Sequence, residues 1–432
     1  MKSEFDIPES TDGVAIPARL IDQILGQERA VEVVRLAARQ KRFLLIVGEP
    51  GTGKSLLGQA VAELLSVEKL EDIVAEHNPD YPVLPRVFKL PAGKGEEKVA
   101  LGHIDARQRV SAERYLIGVA VAAALIVAGY YSIKEGNAYP ALCGGAIVLA
   151  LLYCRRLFLA PARREIPKLL VNNRGAVSAP FVDATGSQAG ALLGDVRHDP
   201  YQSGGSETPP HELLEAGAIH RANGGVLFID EVSTLSMESQ QSLLTAIQSR
   251  EFAITGRSRG SSGSMVHSQP APCEFLLILA GNVEDIEKMH PALRSRIRGY
   301  GYEIFTQSAI ADNPANCLKM MQFIAQEVHR DGKIPHFSRA GIEAILDEAR
   351  VRANKDGFLT ARFRELGGLV RIAGDLAVQD GAKLVDGEHV RRAHAYALTV
   401  EEQCRQQTAA KGCRLEAGAT KKLEEAWTPL RY

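Results

Sequence analysis

Apolar residues follow three rhythms along this chain. Across 26–42, Val31, Val33, Val34, Leu36 and Ala37 stand among charged residues at helical spacing, which predicts a helix. Phe43–Val47 is then an unbroken apolar run, and 225–231 and 275–280 repeat that pattern. Short runs without alternation predict strands covered on both faces, as in a parallel sheet. Helical spacing returns after residue 54, through Leu65, and again in 238–248. It dominates 312–396, with breaks at 332–335, 356–357 and 386–387. The stretch 252–272 is rich in Gly and Ser with scattered β-formers, and predicts a hairpin insertion. Residues 67–114 are polar, with Pro79, Pro82, Pro85 and Pro91, and predict loops.

The third rhythm is a block without charge. Residues 115–133 are 19 uncharged positions, and after Lys134-Glu135-Gly136-Asn137 come 17 more, 138–154. About 18 apolar residues make a membrane-helix candidate. The first segment qualifies, while Pro140, Gly144 and Gly145 make the second marginal. Arg107, Arg109 and Arg114 precede the pair, and Arg155, Arg156, Arg163, Arg164 and Lys168 follow it. The turn between carries only Lys134. Cationic residues collect on the cytoplasmic side, so both ends are expected there, with the basic flanks against anionic lipid headgroups. The competing expectation is a helical hairpin buried in a soluble core.

Composition changes this picture little. The 432 residues suggest roughly three domain-sized units at about 150 each. A net charge of -1, 45% apolar and 24% charged residues fit a globular chain and remove any case for nucleic-acid binding from net basicity. Mean hydropathy lies close to zero and hides the apolar block. The N-terminus is polar and acidic, unlike a signal peptide, so any membrane insertion is expected to start from inside the chain. The six cysteines, Cys143, Cys154, Cys273, Cys317, Cys404 and Cys413, form neither a C-x-x-C pair nor a zinc pattern, which points to a reducing compartment.

The candidate chemistry sits at the ends of the apolar runs. Gly48, Glu49, Pro50, Gly51, Thr52, Gly53, Lys54 and Ser55 fit G-x-x-x-x-G-K-S between a strand and a helix. Glycines let backbone amides curl round phosphate oxygens, Lys54 reaches the β- and γ-phosphates, and the Ser55 hydroxyl suits Mg²⁺. The second run ends in Asp230, a metal-holding carboxylate, and Glu231, a general base toward water. Asn282 follows the third run, where it orients the attacking water or simply makes a turn. Arg294 and Arg296 lie about ten residues on, and Arg362 and Arg364 form a second pair. One of the first pair is a candidate arginine finger acting across a subunit interface.

Taken together these residues resemble an AAA+ ATPase, and more closely the archaeal-type, membrane-bound Lon protease family. The resemblance rests on ILGQERAVEVVRLAARQKR (24–42), GEPGTGKS, ALLGDVRHDPYQSGG (191–205), EAGAIHRANGGVLFIDE (215–231), MHPALRSRIRGYGYEI (289–304), DGKIPHF (331–337) and LTARFRELGGLVRIAGD (359–375). It implies an α/β P-loop core with a parallel sheet, an inserted transmembrane hairpin and an α-helical lid. The implied divisions are 1–111 and 161–306 for the core, 112–160 for the hairpin, 307–398 for the lid and 399–432 for a tail. It implies ATP with Mg²⁺, Asn282 as the first sensor, Arg296 as the finger with Arg294 in reserve, and Arg362 as the second sensor with Arg364 in reserve. Leu192-Leu193-Gly194 resembles the loop that grips substrate. A ring of identical subunits, a hexamer, pulling unfolded or misfolded protein through a pore is the implied assembly.

Family members continue into a Ser–Lys peptidase domain, whereas this sequence ends at Tyr432 with a charged tail holding a lone Trp427. The expectation is a motor without its peptidase, working alone or with a separate peptidase subunit. The alternatives are a metal-chelatase-like motor, suggested by ALLGDVRH and the 252–272 segment, and a membrane scaffold that binds ATP without hydrolysing it. A nucleic-acid motor has no aromatic–basic stripe to support it.

Overall fold

The computed structural model describes residues 7–158, 166–197, 208–257, 265–398, 400 and 403. Arg163 and Arg164 of the basic flank, 198–205 of the 191–205 segment, 258–264 of the hairpin insertion, and Cys404, Cys413 and Trp427 lie outside them. The chain forms two compact units. One comprises Arg29–Val47 and Lys54–Phe305, the other the described residues of Met1–Glu28, Gly48–Gly53 and Thr306–Tyr432.

The larger unit opens with α1 (Glu28–Gln40), β1 (Phe43–Val47) and, after the Gly-rich loop, α2 (Lys54–Leu64). Next come β2 (Glu71–Glu76), β3 (Arg86–Pro91), α3 (Lys94–Glu135), α4 (Tyr139–Phe158), β4 (Lys168–Val171) and β5 (Phe181–Asp183). Short pieces follow: α5 (Ala189–Leu193), β6 (Asp195–Val196), α6 (Pro210–Leu213), β7 (Leu214–Glu215) and α7 (Ala218–Arg221). The unit closes with β8 (Val226–Ile229), α8 (Met237–Ser249), β9 (Glu251–Arg257), β10 (Met265–Pro272), β11 (Leu276–Gly281), α9 (Val283–Glu287), α10 (Pro291–Tyr300) and β12 (Gly301–Phe305).

Five strands make the main sheet, in the order β12-β1-β11-β8-β5, and every neighbouring pair is parallel. The three apolar runs are the three inner strands, and every residue of β8 and β11 is buried. Val47 pairs with Gly281 and Leu279 with Ile229, so β1, β11 and β8 all finish at one edge. The predicted hairpin is β9 with β10, antiparallel, with a register shift between His267 and Pro270. Proline cannot donate to a ladder, which accounts for the irregularity beside Pro270.

The polar stretch 67–114 holds structure that its prolines concealed. β2 pairs antiparallel with both β3 and β4, and Asp72, Ile73, Val74 and Ala75 are buried. Pro79, Pro82 and Pro85 fall in the connection between β2 and β3. α3 starts at Lys94 and runs 42 residues, which at 1.5 Å per residue is about 63 Å. Buried Asp72 ties this helix down, because one carboxylate oxygen accepts the Gly95 N–H (2.9 Å) and the other the Asn173 N–H (2.8 Å).

α3 and α4 form a helical hairpin. A Cβ at Gly144 would stand 2.4 Å from that of Ala128, so the absence of a side chain lets the helices approach. Within the described residues, Tyr115–Lys134 is the one stretch long and apolar enough to cross a membrane, and only 6% of it is buried. Leu116, Ile126, Ile133, Leu142 and Leu149 face outward. The apolar half of α3 is thus not buried against the rest of the described chain.

The smaller unit carries β13 (Ala309–Ala311), α11 (Pro314–Asp331), α12 (Arg339–Ala353), β14 (Phe358–Thr360), α13 (Phe363–Gln379) and α14 (Gly387–Tyr396). Its core includes Phe337, Ile342, Ile345, Leu366, Leu369 and Val370, all fully buried. The predicted breaks fall where helices end or begin: Gly332 follows α11, Gly357 precedes β14 and Asp386 caps α14. Thr11 of the N-terminal segment joins this unit through its N–H to the Phe337 carbonyl (3.0 Å).

Candidate functional site

The Gly-rich loop is shaped by its own sequence. Gly51 (φ +83°) and Gly53 (φ +87°) adopt the left-handed region, and a Cβ at Gly53 would meet nothing within 4 Å. The buried Thr52 hydroxyl donates to the Glu49 carbonyl (2.9 Å) and pairs with the Thr306 hydroxyl (2.8 Å). Gly48 leaves room for that same Thr306 side chain. The space beside Gly53 is open, which suits the approach of a phosphate to the loop amides.

α2 begins at Lys54, and the N–H groups of its first turn, which no carbonyl of the same helix accepts, give that end a partial positive charge. Lys54 is buried and Ser55 is exposed in this first turn. Leu57, Gly58, Ala60 and Val61 are buried in the same helix, and Gly58 faces the Phe228 ring of β8. Ser55 and Asp230 offer hard oxygens from these two packed elements, a donor set suited to Mg²⁺.

Asp230 and Glu231 follow β8 directly. The Asp230 N–H donates to the Thr185 hydroxyl (2.9 Å), which itself donates to Asp183 (2.6 Å). The Glu231 N–H donates to the Asp230 carboxylate (3.0 Å). Glu231 sits at φ +50°, a conformation uncommon for a non-glycine residue and concentrated at functional sites. The Thr234 N–H and hydroxyl both donate to its carbonyl, each at 2.8 Å, and hold it there. The carboxylate remains exposed.

Asn282 caps α9. Its carbonyl oxygen accepts the Asp285 N–H (3.0 Å), and its own N–H donates to Asp285 (2.9 Å). Ser233 donates to the other oxygen of Asp285 (2.5 Å), linking the ends of β8 and β11. Asn282 thus serves as a helix cap through its side-chain oxygen. Arg294 and Arg296 share α10. Arg294 reaches Glu303 (3.5 Å), while the Arg296 guanidinium lies 4.2 Å from the centre of the Tyr300 ring with its Nε buried and without a protein partner.

In the smaller unit, Arg362 immediately precedes α13 and its Nε donates to the Glu49 carboxylate at 2.7 Å. That hydrogen bond raises the Arg362 pKa above its ordinary value. Arg364 is exposed, and its Cβ lies against Gly51. Leu192 is fully buried in the core of the larger unit, and Leu193 partly so. Only the edge of the Leu192-Leu193-Gly194 segment can meet another chain. Thr185, Asp285 and Ser233 are supports that the sequence reading missed. The N-x-x-D spacing of Asn282 and Asp285 is a capping signal that marks one of them. Thr185 gives no local sign.

A parallel sheet with a phosphate loop after its β1 strand, acidic residues after β8 and a helical lid defines a P-loop AAA+ ATPase. The family described as "Archaeal LonB, AAA+ ATPase LID domain" matches 336–397. "Magnesium chelatase, subunit ChlI" matches 20–78 and "Sigma-54 interaction domain" matches 205–266. An archaeal Lon protease of Archaeoglobus fulgidus is 51% identical over 396 residues, covering 91% of this chain and 63% of that protein. A Lon protease homologue of Methanothermobacter thermautotrophicus is 33% identical, covering 91% of this chain and 90% of its own length. The NtrX protein of Brucella abortus, solved with ADP, aligns over 90% of this chain and 55% of its own, at 13% identity and a TM-score of 0.41. The chain belongs to the archaeal Lon protease family and carries its ATP-dependent AAA+ ATPase portion. It spans 63% of the length of the A. fulgidus relative.

Proposed function

We propose that this chain is the membrane-anchored motor of a Lon-type protease, hydrolysing ATP to unfold and translocate unfolded or misfolded protein. The observation that carries the reading is the shared edge at which β1, β11 and β8 finish, since Asn282 and the Asp230–Glu231 pair directly follow β11 and β8 there. Ligands of open α/β sheets bind at such carboxyl ends.

In this reading the loop amides and Lys54 hold the phosphates, and Ser55 and Asp230 hold Mg²⁺. The ion, when bound, neutralises phosphate charge. Glu231, fixed by its neighbours but exposed, takes the proton from the attacking water. The Asn282 NH₂ orients that water. Arg296 reaches the nucleotide of a second copy, which requires a homo-oligomer, expected to be a hexamer. Among the described residues its Nε has no hydrogen-bond partner, which favours it over Arg294, already engaged by Glu303. Arg362 answers the terminal phosphate from the lid.

Two membrane spans with both ends cytoplasmic, in the cell membrane, belong to this reading; the exposed apolar stretch Tyr115–Lys134 of α3 is what supports membrane contact. Peptide-bond cleavage belongs to a Ser–Lys peptidase, expected in the longer protein or in a separate subunit. The test is a fluorescent protein carrying an unstructured tail, incubated with the detergent-solubilised chain. Fluorescence is expected to fall with ATP and to persist with ADP. Persistent fluorescence in both, with ATP being consumed, would contradict the translocating role.

A further inference from the structure

Glu49 is the anionic side chain inside the phosphate loop, and it occupies Arg362. The Arg362 Nε donates to Glu49 Oε2 at 2.7 Å, and both side chains are about half exposed. Both residues belong to the smaller unit, whose lid helix α13 starts one residue after Arg362. Two further contacts seat the loop on this unit: the Thr52–Thr306 hydroxyl pair and the Gly51–Arg364 approach.

A carboxylate placed in an anion-binding loop resembles the ligand that the loop takes. Its single negative charge faces competition from the two charges of a terminal phosphate. An exposed ion pair contributes little, so it is weak enough for a phosphate to displace. We propose that Glu49 is an internal competitor for Arg362, holding the guanidinium at the start of α13 until a terminal phosphate takes it over. ADP, which lacks that phosphate, leaves the Glu49–Arg362 pair in place. Glu49 is thereby a positioning residue that limits the preference for triphosphate over diphosphate, because only the triphosphate has to displace it. The proposal rests on the reading of Arg362 as the residue answering the terminal phosphate.

The test is a double-mutant cycle read by calorimetric binding of a non-hydrolysable ATP analogue and of ADP, both with Mg²⁺. Removing a negative charge near phosphates strengthens both ligands somewhat, so the informative quantity is the ratio of the two affinities. Glu49→Gln is expected to raise the analogue-to-ADP affinity ratio by about 2- to 5-fold, the range of an exposed ion pair. Glu49→Ala should do the same, and ADP binding reports that each variant is folded. In an Arg362→Ala background the change in ratio should vanish. An unchanged or lowered ratio in Glu49→Gln, with Arg362→Ala itself losing the preference, overturns the competitor role alone. If Arg362→Ala keeps the full preference, the role of Arg362 falls and the competitor role falls with it. A ratio that still rises in the Arg362→Ala background also overturns the proposal, since Glu49 would then act without Arg362.

Discussion

Glu231 pairs an unusual backbone conformation with an exposed carboxylate, and its neighbours are arranged to keep both. The acid itself was legible because Asp-Glu ends an apolar run. Its supports were not, since Thr185 lies 45 residues away from Asp230 and meets it only when β5 and β8 pair. The same holds for Glu49 and Arg362, 313 positions apart. The arginine finger can be tested by complementation. Arg296→Ala is expected to lower hydrolysis by roughly 10³-fold or more. Mixing it with Lys54→Ala, inactive for a different reason, should restore activity if Arg296 serves a neighbouring subunit. No recovery in mixed oligomers would place it elsewhere.

Histidine chemistry gives a second prediction at this scale. Burial pushes His220 from its usual 6.5 down to about 4, and its Nε2 meets the Phe252 carbonyl at 2.9 Å. The folded chain keeps the ring neutral, while the unfolded chain takes up a proton below about 6.5. Stability is therefore lost as pH falls from 6.5 to about 4, on the order of 3 kcal/mol, and not further below. His220→Gln, which preserves a donor to Phe252, should flatten urea midpoints across that window. An equally steep loss in the variant would exclude His220 as its source.

Elements were legible where their signal is local. The runs of β1, β8 and β11 carry their own burial, and the breaks in the lid follow Gly and Asp at helix ends. The β2–β3–β4 sheet was hidden because its short strands are interrupted by a proline-rich connection. The polar first half of α3 reads as loop, since its charges face water and leave no apolar stripe to detect. Two substitutions test how these elements are held. Asp72→Asn leaves one acceptor for two backbone donors and turns an NH₂ toward the other, which should cost about 1–3 kcal/mol in denaturant titration. Gly58→Ala sets a methyl 2.6 Å from the Phe228 ring. Overpacking of that kind costs about 1–3 kcal/mol and should lower the melting temperature. No change in either would mean that the contacts relax freely.

At the scale of the whole molecule, near-neutral charge and average composition describe a soluble globular chain and conceal its hairpin. In the structure the apolar half of α3 lies on the surface. Replacing 113–158 by a short Gly/Ser connection should release the protein from lipid vesicles in flotation while leaving ATP hydrolysis measurable. Continued flotation would locate the membrane contact outside the hairpin.

ATP hydrolysis is proposed for Lys54, Ser55 and the carboxylates at the sheet edge. Phosphate release by the purified chain, compared with Glu231→Gln at equal nucleotide occupancy, tests it most directly. The variant is expected to bind ATP as well as the parent and to release phosphate about 10²- to 10⁴-fold more slowly. Release at the parent rate would contradict it.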